Sequence, residues 1–223
     1  MKNYDWYLFD LDNTILDFSE VSKIAFSSLI SDFELPSFKA AYAVYSKINK
    51  SYWEQYENGT INAEQLKRGR FEDFIKTLKL DADPNVLSKK YFELIIEHSS
   101  EIDGALKALE HFKCIGKLAL ITNGLSDVQH HRLSKHNLDS YFEHLFISDE
   151  MKVSKPSTLF FDKVHEQIGF PKKENVLVLG DNPISDIQGG KDFGYDTFYY
   201  NYRKNRNHNV VSNYGVSNWN ELF

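Results

Sequence analysis

Asp10 and Asp12 stand two positions apart in Asp10-Leu11-Asp12-Asn13-Thr14, and a second acidic pair, Asp181 and Asp186, lies in the C-terminal half. In an extended segment, residues two apart point the same way, so Asp10 and Asp12 are expected to share a face. Carboxylates that converge repel one another unless a cation shares the site. Hard oxygen ligands without histidine or cysteine suit Mg2+. Between the two acidic pairs lie Thr122-Asn123-Gly124, with a hydroxyl, an amide and backbone N–H groups, and Lys155 in Ser154-Lys155-Pro156. Lysine supplies a positive point charge on a flexible stem. An acid pair, a cation site, a hydroxyl and a lysine are the parts that phosphoryl transfer requires.

Each residue also has a plainer reading. Asp12 or Thr14 can cap a turn, Asp186 can open a helix over 187–193, and Lys155 can be a solvated loop lysine. Singly, the plainer readings win for Thr14, Lys155 and Asp186. Their joint placement reverses that preference, because chance would have to put four such groups along the chain in order.

Apolar runs occupy residues 6–9, 118–121, 145–147 and 176–179, with 197–200 as a fifth. Short apolar runs of this kind read as buried parallel strands. Helical patterns over 105–112, 128–136, 159–168 and 187–193 alternate with them. The alternation predicts an α/β fold, a Rossmann-like parallel sheet covered on both faces. Ligands of such sheets bind at the carboxyl ends of the strands.

Residues 18–102 break the rhythm and read as helices. Val21, Ile24, Ala25, Ser28 and Leu29 form one stripe, and Ala41, Val44, Tyr45, Ile48 and Tyr52 another, which Gly59 ends. Asn62 with Gln65 resembles a capping box, and Asp83-Pro84 a capped helix start. The expected organisation is a core of residues 1–17 and 103–223 with a helical cap, 18–102, inserted.

The 223 residues carry 32 acidic and 26 basic side chains, a net charge of -6. That balance argues against nucleic acid or an anionic membrane as partner, but leaves room for a small anion. The single cysteine, Cys114, excludes an internal disulfide, and Phe112 and Ile115 beside it suggest a buried thiol. No apolar span approaches membrane thickness and no signal-like segment opens the chain, so a cytoplasmic protein is expected. His130, His131 and His136 are spread around a helix and read as a solvated surface. The basic stretch 202–208 reads as a surface loop with, at most, an accessory hold on an anion.

The segment Asp10-Leu11-Asp12-Asn13-Thr14 resembles the DxDxT first motif of the haloacid dehalogenase superfamily. Thr122-Asn123 resembles its second motif, Lys155 its third, and Gly180-Asp181 with Asp186 its fourth. The resemblance implies a Rossmann-like core with a helical cap inserted after the first motif. It implies that Asp10 is the nucleophile and that Asp12 is the general acid and base. Mg2+ would be held by Asp10, the backbone carbonyl of Asp12 and Asp181. Thr122, Asn123 and Lys155 would hold the phosphoryl oxygens, with Thr14 and Asp186 behind them.

Asp12 argues against a dehalogenase, whose first motif lacks the second acid. The finer wording, Gly180-Asp181-Asn182, Ser185-Asp186-Ile187 and Gly189-Gly190, is similar to the YjjG-type 5'-nucleotidases, as is Arg68-Gly69-Arg70-Phe71. That resemblance implies hydrolysis of nucleoside 5'-monophosphates, with Trp53, Tyr56, Arg70 and Phe71 as candidate stacking or gating residues. The alternative is a phosphatase for a small organic phosphate such as phosphoglycolate or a sugar phosphate. A phosphomutase or a non-catalytic binding protein ranks below both. Asp103-Gly104, where relatives carry Pro-Gly, departs from the pattern at a hinge and not in the chemistry.

Overall fold

The computed structural model describes all residues except 32, 34, 36 and 203–209. The chain folds as two compact units, Met1–Phe18 with Ser100–Phe223, and Ser19–Ser99. In the first, β1 (Trp6–Phe9), β2 (Lys117–Thr122), β3 (His144–Ile147), β4 (Val176–Gly180), β5 (Asp196–Tyr200) and β6 (Tyr214–Val216) form one sheet, ordered β3-β2-β1-β4-β5-β6. Every neighbouring pair is parallel.

Alternation along the strands divides the core in two. Tyr7, Phe9, Leu118, Leu120, Leu177 and Leu179 pack on one face. Trp6, Leu8, Ala119, Ile121, Val176 and Val178 pack on the other. Both sets are buried, which is why the strands read as unbroken apolar runs and not as alternating ones.

The second unit is built from α1 (Phe18–Leu29, whose first residue belongs to the sheet unit), α2 (Phe38–Glu57), α3 (Ala63–Leu78) and α4 (Pro84–His98). Asn62 and Gln65 make a reciprocal capping box, and Asp83 caps α4 with Pro84 in its first turn. The core here is aromatic: Phe26 stacks on Tyr45 at 4.5 Å, and Tyr45 lies 5.5 Å from Phe71 and 5.6 Å from Tyr91. Arg70 is buried among these rings, its guanidinium 4.8 Å from the Phe92 centroid and Nη1 donating to Asn49 Oδ1 at 2.6 Å. Arg70 and Phe71 are therefore part of this unit's interior packing, whereas Trp53 and Tyr56 are half-exposed and meet edge to face.

The sheet unit adds α5 (Ala105–Ile115), α6 (Ser126–Lys135), α7 (Ser148–Met151), α8 (Thr158–Gln167) and α9 (Gly189–Phe193). A π-helical turn, Pro183–Gln188, precedes α9, so the helix expected over 187–193 begins earlier and in a wider winding. The chain rejoins the sheet unit at Ser100, whose carbonyl accepts from Asp17 N at 3.0 Å, followed by Ile102 N donating to Ile15 O at 2.8 Å.

Three expectations change. Ile24 is exposed, and Phe26 takes the buried place in α1. Cys114 is exposed, because Phe112 and not its neighbour turns toward the sheet. The sixth strand, β6, has no apolar run to announce it. His130 and His131 are exposed, as expected, and His136 is half-buried against Glu101 at 3.0 Å. The basic stretch 202–208 lies, after Tyr202, outside the described residues. Among the described residues, no helix is long and apolar enough to cross a membrane.

Candidate active site

Asp10 follows the last residue of β1, Asp181 follows β4, and Thr122 ends β2, so three adjacent central strands deliver their polar groups to one sheet edge. Lys155 reaches the same place from the segment before α8. Its side chain is 1% exposed, and Nζ donates to Asp10 Oδ1 at 2.8 Å, Asp186 Oδ1 at 2.6 Å and the Ile121 carbonyl at 2.9 Å. An ammonium has three protons, so all are committed. The lysine that could have been solvated is instead the counter-charge of the cluster.

Carboxylate oxygens of Asp10, Asp181 and Asp186 lie within 4.8 Å of one another. Asp186 thus stands beside the other two and not only behind Lys155. Its Oδ2 accepts from Asn182 N at 3.0 Å, and a Cβ on Gly180 would collide with this carboxylate. Glycine at the end of β4 is what lets Asp186 lie against the strand. Thr14 Oγ1 donates to Asp10 Oδ2 at 3.0 Å, so both oxygens of Asp10 have fixed partners. The Thr14 carbonyl accepts from Trp219 Nε1 at 2.8 Å; Trp219 is fully buried and stacked 4.4 Å from Tyr200. The loop carrying the first motif is anchored in the aromatic core.

Asn123, expected to help hold the phosphoryl oxygens, has both ends of its side-chain amide engaged by Lys155. Its Nδ2 donates to the Lys155 carbonyl and its Oδ1 accepts from Lys155 N, both at 2.9 Å, so it fixes the lysine's backbone. Thr122 Oγ1 accepts from Gly124 N at 3.2 Å and from Gln129 Nε2 at 2.9 Å. With both lone pairs occupied, the Thr122 hydroxyl keeps its proton to donate. Asp12 is held by two residues that motif spacing did not single out: Arg132 Nη1 donates to Oδ1 at 2.5 Å and Gln129 Nε2 to Oδ2 at 2.9 Å. The signal that could have found them is the α6 pattern, where Gln129 and Arg132 share the buried face with Val128 and Leu133.

Burial, with Asp186 and Asp12 nearby, pushes Asp10 up to about 7 despite the pull of Lys155. Burial, with Asp10 and Asp186, pushes Asp181 up to about 9. Lys155 moves upward, because Asp10 and Asp186 outweigh its own burial. Three carboxylates against one ammonium leave excess negative charge among oxygen donors, which fits a hard divalent cation.

A stability prediction follows from the direction of these shifts. An unfolded aspartate titrates near ~3.9, below the folded values of about 7 and about 9. Between those limits the native state binds more protons than the unfolded one, so stability falls as pH rises. Thermal melts in chelator are expected to move down from pH 5 to pH 9, and Mg2+ is expected to raise the midpoint most at the alkaline end. A midpoint that rises with pH in chelator would contradict this electrostatic picture.

Residues 7–199 match the family model described as haloacid dehalogenase-like hydrolase. The chain is 32% identical to pyrimidine 5'-nucleotidase YjjG of Escherichia coli, over 98% of this chain and 96% of that one. It is also 32% identical to pyrimidine 5'-nucleotidase PynA of Streptococcus pneumoniae, over 92% and 87%. The magnesium-bound crystal structure of the HAD hydrolase YfnB of Bacillus subtilis superposes with a TM-score of 0.88 at 31% identity, covering 99% of this chain and 97% of that one. With motif order, sheet topology and near-complete coverage in agreement, the chain belongs to the haloacid dehalogenase-like hydrolases.

Proposed function

We propose that this hydrolase is a Mg2+-dependent phosphatase that works through an aspartyl-phosphate on Asp10 and acts on nucleoside 5'-monophosphates. The observation that carries the reading is the pairing of two differently held acids. Asp10 is buried and fixed by Lys155 and Thr14. Asp12 is 28% exposed at its side chain and braced from behind by Arg132. One is built to attack, the other to exchange protons.

In the first step Asp10 attacks phosphorus, the bond to the leaving oxygen breaks, and Asp12 gives that oxygen its proton. In the second, water attacks the phosphoryl group, passes its proton to Asp12, and Asp10 leaves as a carboxylate. Thr122 donates its free hydroxyl proton to a phosphoryl oxygen. Lys155 supplies its charge; direct contact with the phosphoryl group requires it to release one of its three acceptors. Asn123 acts through the Lys155 backbone. Asp10, the backbone carbonyl of Asp12 and Asp181, with Asp186 beside them, would hold Mg2+. When bound, that ion offsets the negative charge of carboxylates and phosphate together.

Similarity to two pyrimidine 5'-nucleotidases over nearly the whole chain supports the nucleotide assignment. In this reading residues 18–102 are the cap, substrate choice resides in their helices, and the working compartment is the cytoplasm. The test is phosphate release with Mg2+ from nucleoside monophosphates, sugar phosphates and phosphoglycolate. Pyrimidine nucleoside monophosphates are expected to give the highest kcat/KM. Preference for a sugar phosphate or phosphoglycolate would overturn the nucleotidase assignment while leaving the chemistry intact.

A further inference from the structure

We infer that Arg132 and Gln129 are positioning residues that aim Asp12 at the leaving oxygen; the inference rests on the phosphatase reading above. Both side chains come from the buried face of α6. Arg132 Nη1 donates to Asp12 Oδ1 at 2.5 Å and to Gln129 Oε1 at 2.9 Å. Gln129 Nε2 donates to Asp12 Oδ2 and to Thr122 Oγ1, both at 2.9 Å. Each carboxylate oxygen of Asp12 therefore has its own donor, and the donors are bonded to each other. This fixes the plane of the carboxylate as well as its position, where one contact would leave it free to rotate.

The arrangement is one-sided. The Arg132 side chain is 0% exposed while that of Asp12 is 28% exposed, so the protein grips the acid from behind and leaves its front open. The same network holds Thr122, tying the proton-exchanging acid to the hydroxyl expected to meet the phosphoryl group. The Phe18 ring, 5.5 Å from Arg132 Cζ, packs beside the guanidinium.

Packing alone does not require this chemistry. A buried charge costs desolvation, and an apolar side chain of similar volume fills such a place as well or better. The chain also makes room for it: a Cβ on Gly124 would collide with the Gln129 amide. The glycine of Thr122-Asn123-Gly124 thus admits the bracket, and its N–H donates to Thr122 Oγ1 at 3.2 Å.

The test separates positioning from support of the fold. Holoenzyme with Mg2+ is compared as wild type, Arg132→Met, Arg132→Lys and Gln129→Leu on two substrates in single-turnover and burst experiments. One is a pyrimidine nucleoside monophosphate, whose alkoxide needs a proton to leave. The other is 2,4-dinitrophenyl phosphate, whose phenolate departs without one. General acid–base groups contribute about 10²- to 10⁴-fold, so Arg132→Met is expected to slow nucleotide turnover by roughly 10- to 100-fold. The dinitrophenolate burst is expected to stay near the wild-type rate, with a slow steady state because Asp12 must still accept a proton from water. Arg132→Lys is expected to recover part of the loss, and Gln129→Leu, which also releases Thr122, to slow both substrates but the nucleotide more. In an Asp12→Ala background, Arg132→Met is expected to cost nothing further.

Equal losses on both substrates, or a further loss on top of Asp12→Ala, would overturn the inference. Wild-type enzyme lacking Asp10-dependent turnover of either substrate would instead bring down the phosphatase reading itself. The two failures are distinguishable.

Discussion

Asp10→Asn is expected to lower Mg2+-dependent phosphate release by on the order of 10⁴-fold or more, as removal of a covalent nucleophile does elsewhere. The substitution keeps the shape of the side chain but not its charge. Lys155 and Thr14 hold the two carboxylate oxygens at 2.8 Å and 3.0 Å; in asparagine the amide oxygen can still accept from Lys155, and the amide nitrogen can donate to the Thr14 hydroxyl. The fold is therefore expected to survive, and the loss to appear in kcat and not as aggregation. Removing one negative charge also takes away the repulsion by which Asp10 adds to the effect of burial on Asp181. The variant in chelator is expected to be as stable as the parent or more so at pH 8. Steady-state kinetics with a thermal melt of the same sample checks both halves. Substantial residual turnover would place the nucleophile elsewhere.

Lys155→Met is expected to be the most damaging single change to the site's stability. Lys155 is fully committed to Asp10, Asp186 and the Ile121 carbonyl, and its removal leaves buried carboxylates facing one another. Breaking a buried pair from one side costs about 3–5 kcal/mol. Methionine fills much of the volume, so most of this cost is electrostatic. The cost depends on pH in a definite sense. Near pH 5, below the folded values of about 7 for Asp10 and about 9 for Asp181, those groups hold protons and tolerate the loss of the cation. At pH 9 they are driven toward ionisation with no ammonium to meet them. Melts of parent and variant in chelator are thus expected to diverge as pH rises. A difference independent of pH would mean that Lys155 matters for packing alone.

The central strands were legible because burial on both sheet faces leaves apolar runs, and the chemical groups directly follow those runs. Strand β6 was not, since Tyr214-Gly215-Val216 has no such run and its place comes from pairing with β5. Capping residues Asn62 and Asp83 act locally and so could be read locally. Cys114 and Ile24 were misplaced because one-residue rotations about a helix decide which side chain faces inward. Asp10, Thr122 and Asp181 announced themselves by position at strand ends, whereas Lys155 comes from the segment before α8 and was legible only through its place in the motif order. The partnership of Asp12 with Arg132 spans 120 positions and depends on the tertiary fold. Only the polar residues on the apolar face of α6 hinted at it. Nor did spacing reveal that Asn123 serves Lys155, since the two meet through backbone groups.

The most direct measurement is acid quench of the enzyme during turnover of a radiolabelled nucleoside monophosphate with Mg2+, followed by peptide mapping. The account predicts an acid-stable, hydroxylamine-labile label on the peptide containing Asp10, absent in Asp10→Asn. Label on a different residue, or rapid turnover with none trapped at any quench time, would contradict it.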